Sequence, residues 1–296
     1  PSQQSRPLRS AVSSKILCIL CITSVRPAVH GPRLTQHLTA MEVGSTIVTY
    51  LVVPVTTATV LLLLMLKRSR KFQEVFSAHV FFPLVSPFFK SAFLGIRREI
   101  MQNLNNIESR DPELRLTDAI RVLEVGVGSG RNFDFVDRNI KYLAVDPNIS
   151  VKAKFLDNQS KHSNVELESW ILACGENMKD VPDDYVDAVV ITHVLCSVLD
   201  ARKVLGECKR VLVPGGKMLF MEHIGYPYNT WTLRLQRLVD PVWELLTCGC
   251  HLSRSTSNAI IEAGFSELLL KEVYLPIFPL LSRHIYGVGI LASRPL

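Results

Sequence analysis

Three glycines at alternate positions, Gly126, Gly128 and Gly130, follow an apolar run, Val122 to Val125, that is interrupted only by Glu124. A second apolar run, Tyr142 to Val145, ends in Asp146. In an open α/β sheet, ligands gather at the carboxyl ends of the strands, where the strand order reverses. Glycines there let the backbone approach a nucleoside and start the next helix. An acid at the tip of the second strand can accept hydrogen bonds from both hydroxyls of a ribose. The dinucleotide fingerprint G-x-G-x-x-G would need a glycine at position 131, where the chain has Arg131. The spacing therefore favours a single nucleoside over a dinucleotide.

Elements with a regular rhythm must hold these residues. Val165 to Ile171 reads as a third strand, followed by Cys174, Gly175 and Glu176 at its end. Val186 to Ile191 is nearly all apolar, as a strand buried on both faces should be. Leu199 to Leu212 has helical spacing, and Pro214, Gly215 and Gly216 stop it. Lys217 to His223 is a fifth strand, and Glu267 to Tyr274 and His284 to Ala292 would close the sheet as an antiparallel pair. The alternation predicts an α/β, Rossmann-like sheet, mostly parallel with an antiparallel C-terminal strand. The run E-x-G-x-G-x-G from Glu124 to Gly130 resembles motif I of the class I S-adenosylmethionine-dependent methyltransferases. The R-V-L-x-P-G-G element, Arg210 to Gly216, is similar to one common in that superfamily.

Other segments carry a narrower likeness. Ala173 to Met178, Val194 to Val198, Phe220 to His223, Asp240 to Leu246, Gly249 to Arg254 and His284 to Gly287 resemble the methyltransferase-like protein 7 family. That family comprises membrane-anchored thiol S-methyltransferases of the endoplasmic reticulum and lipid droplets. The likeness extends over about residues 41–292 and is strongest from 121 to 254. Val127 and Ser129 stand where a cysteine and a threonine are usual. The resemblance implies S-adenosylmethionine as cofactor, with Asp146 on the ribose and Gly126, Gly128 and Gly130 beside its methionine and ribose portions. Glu124 would position the loop and the ligand's amino group, while Gly175 and Glu176 would lie near the adenine. His193 and Cys196, after the fourth strand, would face the cofactor cleft, His193 on the cofactor and Cys196 in the substrate pocket. His223, at the tip of the fifth strand, is the candidate to accept or relay the acceptor's proton. Residues 226–254 are too long for a simple connection and read as a lid over an apolar acceptor pocket that contains Trp231 and Trp243. A thiol acceptor suits such a pocket, because thiols ionise near neutral pH without a strong base.

Charge is unevenly distributed over the 296 residues: net +9 in residues 1–110 and −3 in 111–296. The basic balance thus belongs to the N-terminal region, which argues against a nucleic-acid partner for the catalytic domain. Seven cysteines suggest no disulfide framework. Cys18 and Cys21 form C-x-x-C, and Cys248 and Cys250 form C-x-C beside His251, each without a distant partner pair. Free or buried thiols in a reducing compartment are expected, and no metal.

Val43 to Leu66 contains no formal charge and would make a helix of about 36 Å, against a hydrocarbon core of ~30 Å. Lys67, Arg68, Arg70 and Lys71 follow it, which predicts an anchor with the catalytic domain in the cytosol. Translation is expected to begin at Met41, leaving 1–40 as an upstream extension. The predicted organisation is then an anchor over 41–71, an interfacial segment over 72–110 and the catalytic domain over 111–296. A cap packed on that domain is the alternative for residues 72–96, and Arg97 to Ile107 reads as an amphipathic helix leading into it. Two other functions remain open: methylation of a lipid, quinone or sterol, and lipid-droplet binding without turnover.

Overall fold

The computed structural model describes Val43 and residues 45–293. The expected 1–40 extension lies outside the described residues. The chain divides into two units, residues 1–58 and 59–296. The described residues of the first are helical and exposed; a π-helical turn at Val48–Val52 precedes helix α1 (Val53–Arg68), of which residues 59–68 belong to the second unit. The helical stretch Ser45–Arg68 contains an 18-residue window of mean hydropathy 2.3 and is long and apolar enough to cross a membrane. The stretch Arg70–Asn106 meets the same criterion, at 1.3.

In the second unit, a seven-stranded sheet runs in the order β3-β2-β1-β4-β5-β7-β6. Its strands are β1 (Ile120–Val125), β2 (Ile140–Val145), β3 (Val165–Ile171), β4 (Val186–Thr192), β5 (Leu212–His223), β6 (Glu267–Tyr274) and β7 (Arg283–Ile290). β1 to β5 are mutually parallel, and β7 lies antiparallel between β5 and β6. The order reverses between β1 and β4, so the tips of β1, β2 and β4 border one crevice. Val122, Tyr142 and Ala188 point into one core, whereas Leu123, Leu143 and Val189 point into the other, as the two-residue period requires. Asp187 interrupts the apolar run of β4, yet its buried carboxylate accepts from Ser109 Oγ at 2.7 Å, Arg110 N at 2.9 Å and Arg121 N at 2.8 Å.

The helices that cover the sheet show why they form where they do. α2 (Arg70–Phe76) is capped by Ser69, and a π-helical turn at Ser77–Phe81 joins it to α3 (Phe82–Met101). Pro83 sits in the first turn of α3, directly after the π-helical turn, and Pro87 is carried inside the helix. The short α4 (Pro112–Leu116) and α5 (Lys152–Gln159) follow. α6 (Ala201–Val211) starts at Asp200, whose carboxylate caps Arg202 N and Lys203 N, and buries Val204, Leu205, Cys208 and Val211 on one stripe. α7 (Trp231–Thr247) starts at Thr230 and ends at Cys248 in the left-handed conformation, before α8 (Ser257–Glu262).

Two local expectations change. The fifth strand begins at Leu212 rather than Lys217, and the Pro214-Gly215-Gly216 element forms an irregularity within it. Leu212 pairs with Val186, Lys217 pairs with Ala188, and Gly215 has φ +81°. The glycine loop after β1 also starts no long helix. A single 3₁₀ turn at Phe133–Phe135 follows it, and Ile96 and Ile100 of α3 pack in the same core as Phe133 and Tyr142.

Residues 72–96 pack as a cap on the second unit and also present an apolar outer face. Leu84 and Phe88 of α3 point outward, Phe88 with 77% exposure, while Ile96, Ile100 and Met101 are buried. Gln73 of α2 is itself buried and donates from Nε2 to Glu244 O at 3.2 Å and Leu245 O at 3.0 Å. Gln73→Leu is expected to cost about 1–3 kcal/mol by removing these bonds from α7 carbonyls. A urea midpoint equal to that of the unmodified chain would show that the cap is held elsewhere.

Candidate active site

The crevice at the β1, β2 and β4 tips is a cradle of backbone. Gly126 has φ +68°, and a Cβ there would lie 2.5 Å from Val194 Cγ2, so both conformation and space require glycine. Asp146, at the tip of β2, accepts Gly128 N–H at 3.0 Å through Oδ2 and Asn148 N–H at 2.8 Å through Oδ1. Each oxygen keeps a further lone pair, which suits the vicinal hydroxyls of a ribose. Burial raises the pKa of Asp146, and the two N–H groups oppose that shift. Asn148 in turn donates to Glu74 O of α2 at 3.2 Å, so the cap reaches the edge of this site.

Glu124 lies behind the glycines and is buried. It accepts from Asn132 Nδ2 at 2.9 Å and from the Tyr142 hydroxyl, while Arg97 of α3 donates to Asn132 Oδ1. Burial pushes its carboxyl up to about 7, against the pull of Tyr142 and Arg97. Glu124 is thus bound to the loop residue Asn132 and to strand β2. Gly175, after β3, packs closely: a Cβ would stand 2.8 Å from Val125 Cγ1. Glu176 Oε1 accepts from Leu199 N at 2.8 Å, tying the β3 end to the start of α6.

Beside the crevice is a cavity of about 150 Å³ whose walls include Phe81, Phe89 and Phe93 from the cap, Trp243 from α7, and Leu281. Phe81 meets Trp243 edge to face, with 5.7 Å between ring centroids. Cys196, His223, Cys250, His193 and His284 also line it. A wider groove of about 410 Å³ between α3 and the glycine loop is charged, with Lys90, Arg97, Arg131, Asp134, Lys154 and Asp157 on its walls, and contains none of these sulfur and imidazole groups.

The strand ends dictate this gathering. Cys196 follows β4, His223 ends β5, and His284 lies directly across from His223 in the antiparallel β5–β7 register. The buried Glu222 accepts from Val194 N at 2.7 Å and Leu195 N at 2.8 Å, fixing the loop that carries Cys196. The backbone at His251 donates to Cys196 O at 3.0 Å, which brings Cys250 alongside. His223 Nε2 lies 2.9 Å from Cys250 Sγ, and Trp243 Nε1 donates to that sulfur at 3.4 Å. His223 Nδ1 is buried with no hydrogen-bond partner.

The neighbouring pair has a definite proton arrangement. His284 Nδ1 donates to Ser282 O at 3.2 Å, so its Nε2 accepts from His193 Nε2 at 3.2 Å. Burial keeps both imidazoles neutral, holding His284 near 3 and His193 well below the usual range. His193 has φ +58°, an uncommon backbone conformation held by its N–H to Met221 O at 2.8 Å.

Of the aromatic pair expected in the acceptor pocket, Trp243 is in the wall, whereas Trp231 stands at the first turn of α7 with 74% exposure and outside it. The difference is one of helix position, since only the C-terminal end of α7 reaches the cavity. Sequence reasoning missed Cys250, His284 and the cap phenylalanines. An antiparallel strand begins where its neighbour ends, and that rule points His284 at His223.

A family model described as a methyltransferase domain matches residues 123–220. Thiol S-methyltransferase TMT1A of Homo sapiens is 37% identical over 195 residues, covering 66% of this chain and 78% of that protein. Thiol S-methyltransferase TMT1B of Rattus norvegicus is 37% identical over 199 residues, with the same coverages. A shorter match, 32% over 106 residues and 42% of the relative, is to the ubiquinone/menaquinone biosynthesis C-methyltransferase UbiE of Proteus mirabilis. The chain belongs to the thiol S-methyltransferase family. This methyltransferase takes S-adenosylmethionine as cofactor, and the acid-tipped glycine cradle described above fits a nucleoside of that kind.

Proposed function

We propose that this methyltransferase transfers a methyl group to the sulfur of small lipophilic thiols. The observation that carries the reading is the lining of the cavity: aromatic and aliphatic groups, two arginines, three hydroxyls, sulfur and imidazole, with no carboxylate among the lining residues. S-adenosylmethionine supplies an electrophilic methyl on a sulfonium. Asp146 would hold its ribose, the glycine backbone would lie along its methionine and ribose portions, and Gly175 and Glu176 would border its adenine. Glu124, Asn132 and Arg97 would keep the glycine loop in place, and His193 with His284 would form a neutral, polar patch of the cavity wall. Cys196, His223 and Trp243 would surround the acceptor, with His223 beside its sulfur.

Charge is lost when a thiolate meets a sulfonium, so the apolar wall favours the transition state over separated ions. Fixed alignment between the crevice and the cavity supplies a second part of the acceleration. An alcohol or a protonated amine, with a pKa well above that of a thiol, would need a stronger general base than the imidazoles in these walls. Membranes containing the full chain, incubated with labelled S-adenosylmethionine and matched alkyl thiols, alcohols and amines, should methylate the thiol and leave the others largely unreacted. Equal rates for a thiol and its alcohol counterpart would promote a lipid, quinone or sterol acceptor instead.

The same reading places the enzyme on the endoplasmic reticulum membrane and lipid droplets with the catalytic unit in the cytosol. The apolar stretch Ser45–Arg68, the cluster Lys67, Arg68, Arg70 and Lys71, and the outward Leu84 and Phe88 support it. Carbonate washing should leave the chain with the membranes, and protease added to intact microsomes should digest the catalytic unit. A sequon placed in that unit and found glycosylated would reverse the orientation.

A further inference from the structure

We propose that Cys196, His223 and Cys250 form a zinc site whose open fourth position faces the acceptor cavity and receives the acceptor's sulfur. The thiol reading above enters only through the identity of that fourth ligand.

The three donor atoms lie within 4.8 Å of one another, and all three residues are buried. Two sulfurs and an imidazole are the donor set of a catalytic zinc centre, which keeps three protein ligands and one exchangeable position. Zinc–sulfur and zinc–nitrogen bonds of about 2.3 and 2.0 Å in a tetrahedron would separate the donors by roughly 3.5–3.8 Å. Opening the 2.9 Å contact between His223 Nε2 and Cys250 Sγ by well under 1 Å would meet that spacing. A neutral His223 ring protonated at Nδ1, which has no hydrogen-bond partner, would turn its Nε2 lone pair toward the sulfurs. The Trp243 indole N–H aimed at Cys250 Sγ is the outer contact a metal-bound thiolate takes. All three residues border the cavity, which leaves the open position on the acceptor's side.

The electrostatics agree with the geometry. Two thiolates buried beside aromatic rings would be expensive alone, and a divalent cation cancels their charge. Binding an acceptor then releases its S–H proton to water and leaves a thiolate on zinc. One lone pair of that sulfur forms the new carbon–sulfur bond. The old bond to the sulfonium breaks, and its electrons stay with the cofactor's sulfur. The methylated product is a thioether, a weaker ligand, and departs.

The full chain, purified in detergent, should contain about one zinc ion per molecule by elemental analysis. Cys196→Ser and Cys250→Ser should each lose the metal, while Cys174→Ser, an exposed cysteine outside the cluster, should retain it. Retained S-adenosylmethionine binding by calorimetry would show that the serine variants are folded. Cobalt exchanged into the unmodified chain should give a thiolate-to-metal charge-transfer band that grows when a small alkyl thiol is added and not when the matched alcohol is. Metal-free protein, or a Cys196–Cys250 disulfide in freshly purified chain, would overturn the site. A cobalt spectrum indifferent to thiol would overturn its role in acceptor binding. Undiminished thiol methylation by the zinc-free enzyme would remove the metal and leave the thiol reading intact. A thiol that shifts the cobalt spectrum but is never methylated would do the reverse.

Discussion

Asp146→Ala is expected to weaken S-adenosylmethionine binding by roughly 30- to 1,000-fold, the equivalent of about 2–4 kcal/mol. Two losses combine. A ribose would forfeit a charged acceptor for both hydroxyls, and Gly128 N–H and Asn148 N–H would lose the oxygens that hold them at 3.0 and 2.8 Å. Asp146→Asn separates the two, since its amide oxygen can still accept one backbone N–H while the negative charge is gone. The asparagine variant should therefore bind more tightly than alanine and well below the unmodified chain. Circular dichroism should be unchanged in both, because β2 is held by its partners on either side. Calorimetry showing ordinary affinity in the alanine variant would reject Asp146 as the ribose ligand.

The second large effect concerns Glu124 and appears as a pH dependence of stability. Its carboxyl titrates near 7 in the fold and near 4.5 when exposed, so the folded chain favours the protonated form. The stability this gives is fully present below about pH 4.5 and is lost as pH rises through 7. A displacement of that size corresponds to roughly 3 kcal/mol across the interval. Glu124→Gln stays neutral at every pH and can still accept from the Tyr142 hydroxyl. The variant should gain on the unmodified chain by about 2.5 kcal/mol between pH 5 and pH 8 in urea unfolding, the rest of the change falling below pH 5. A stability difference that stays flat over this range would mean that Arg97 and Asn132 keep Glu124 ionised throughout. The wild-type enzyme tolerates this cost at neutral pH because Glu124 ties the glycine loop, strand β2 and the α3 cap to one point.

The sheet was legible because its strands are of the kind that sequence describes well. β1, β2 and β4 are short apolar runs bounded by glycine, aspartate or polar turns, and a parallel sheet covered on both faces demands such runs. Asp146 was legible for the same reason, as the first polar residue after β2. The cap was harder to read. Phe72 to Ile96 is apolar around much of its circumference, and periodicity alone does not say whether protein or lipid covers each side. The structure divides them, with Phe93 and Ile96 inward and Leu84 and Phe88 outward. Cys250 was hidden by its local company: beside Cys248 and His251 it read as an isolated C-x-C. Cys248 instead supplies the left-handed end of α7, which turns Cys250 alone toward partners delivered by β4 and β5. No local pattern encodes a meeting of residues so far apart in the chain.

The placement of the cavity walls also has a consequence for biosynthesis. Phe81, Phe89 and Phe93 come from the early part of the chain, whereas His284 lies on the last strand to be made. The acid-tipped crevice, with the Glu222 bonds that fix the loop after β4, is in place once β5 has emerged, but β5 keeps an unpaired edge until β7 has been synthesised. At translation rates of about 5–20 residues per second, that edge stays open for several seconds. During this interval a nascent chain can hold its nucleoside and yet lacks a closed chamber for the acceptor. A ribosome that stops short of β7 would thus release a cofactor-binding protein with no enclosed reaction space and an exposed strand edge ready to pair with another chain.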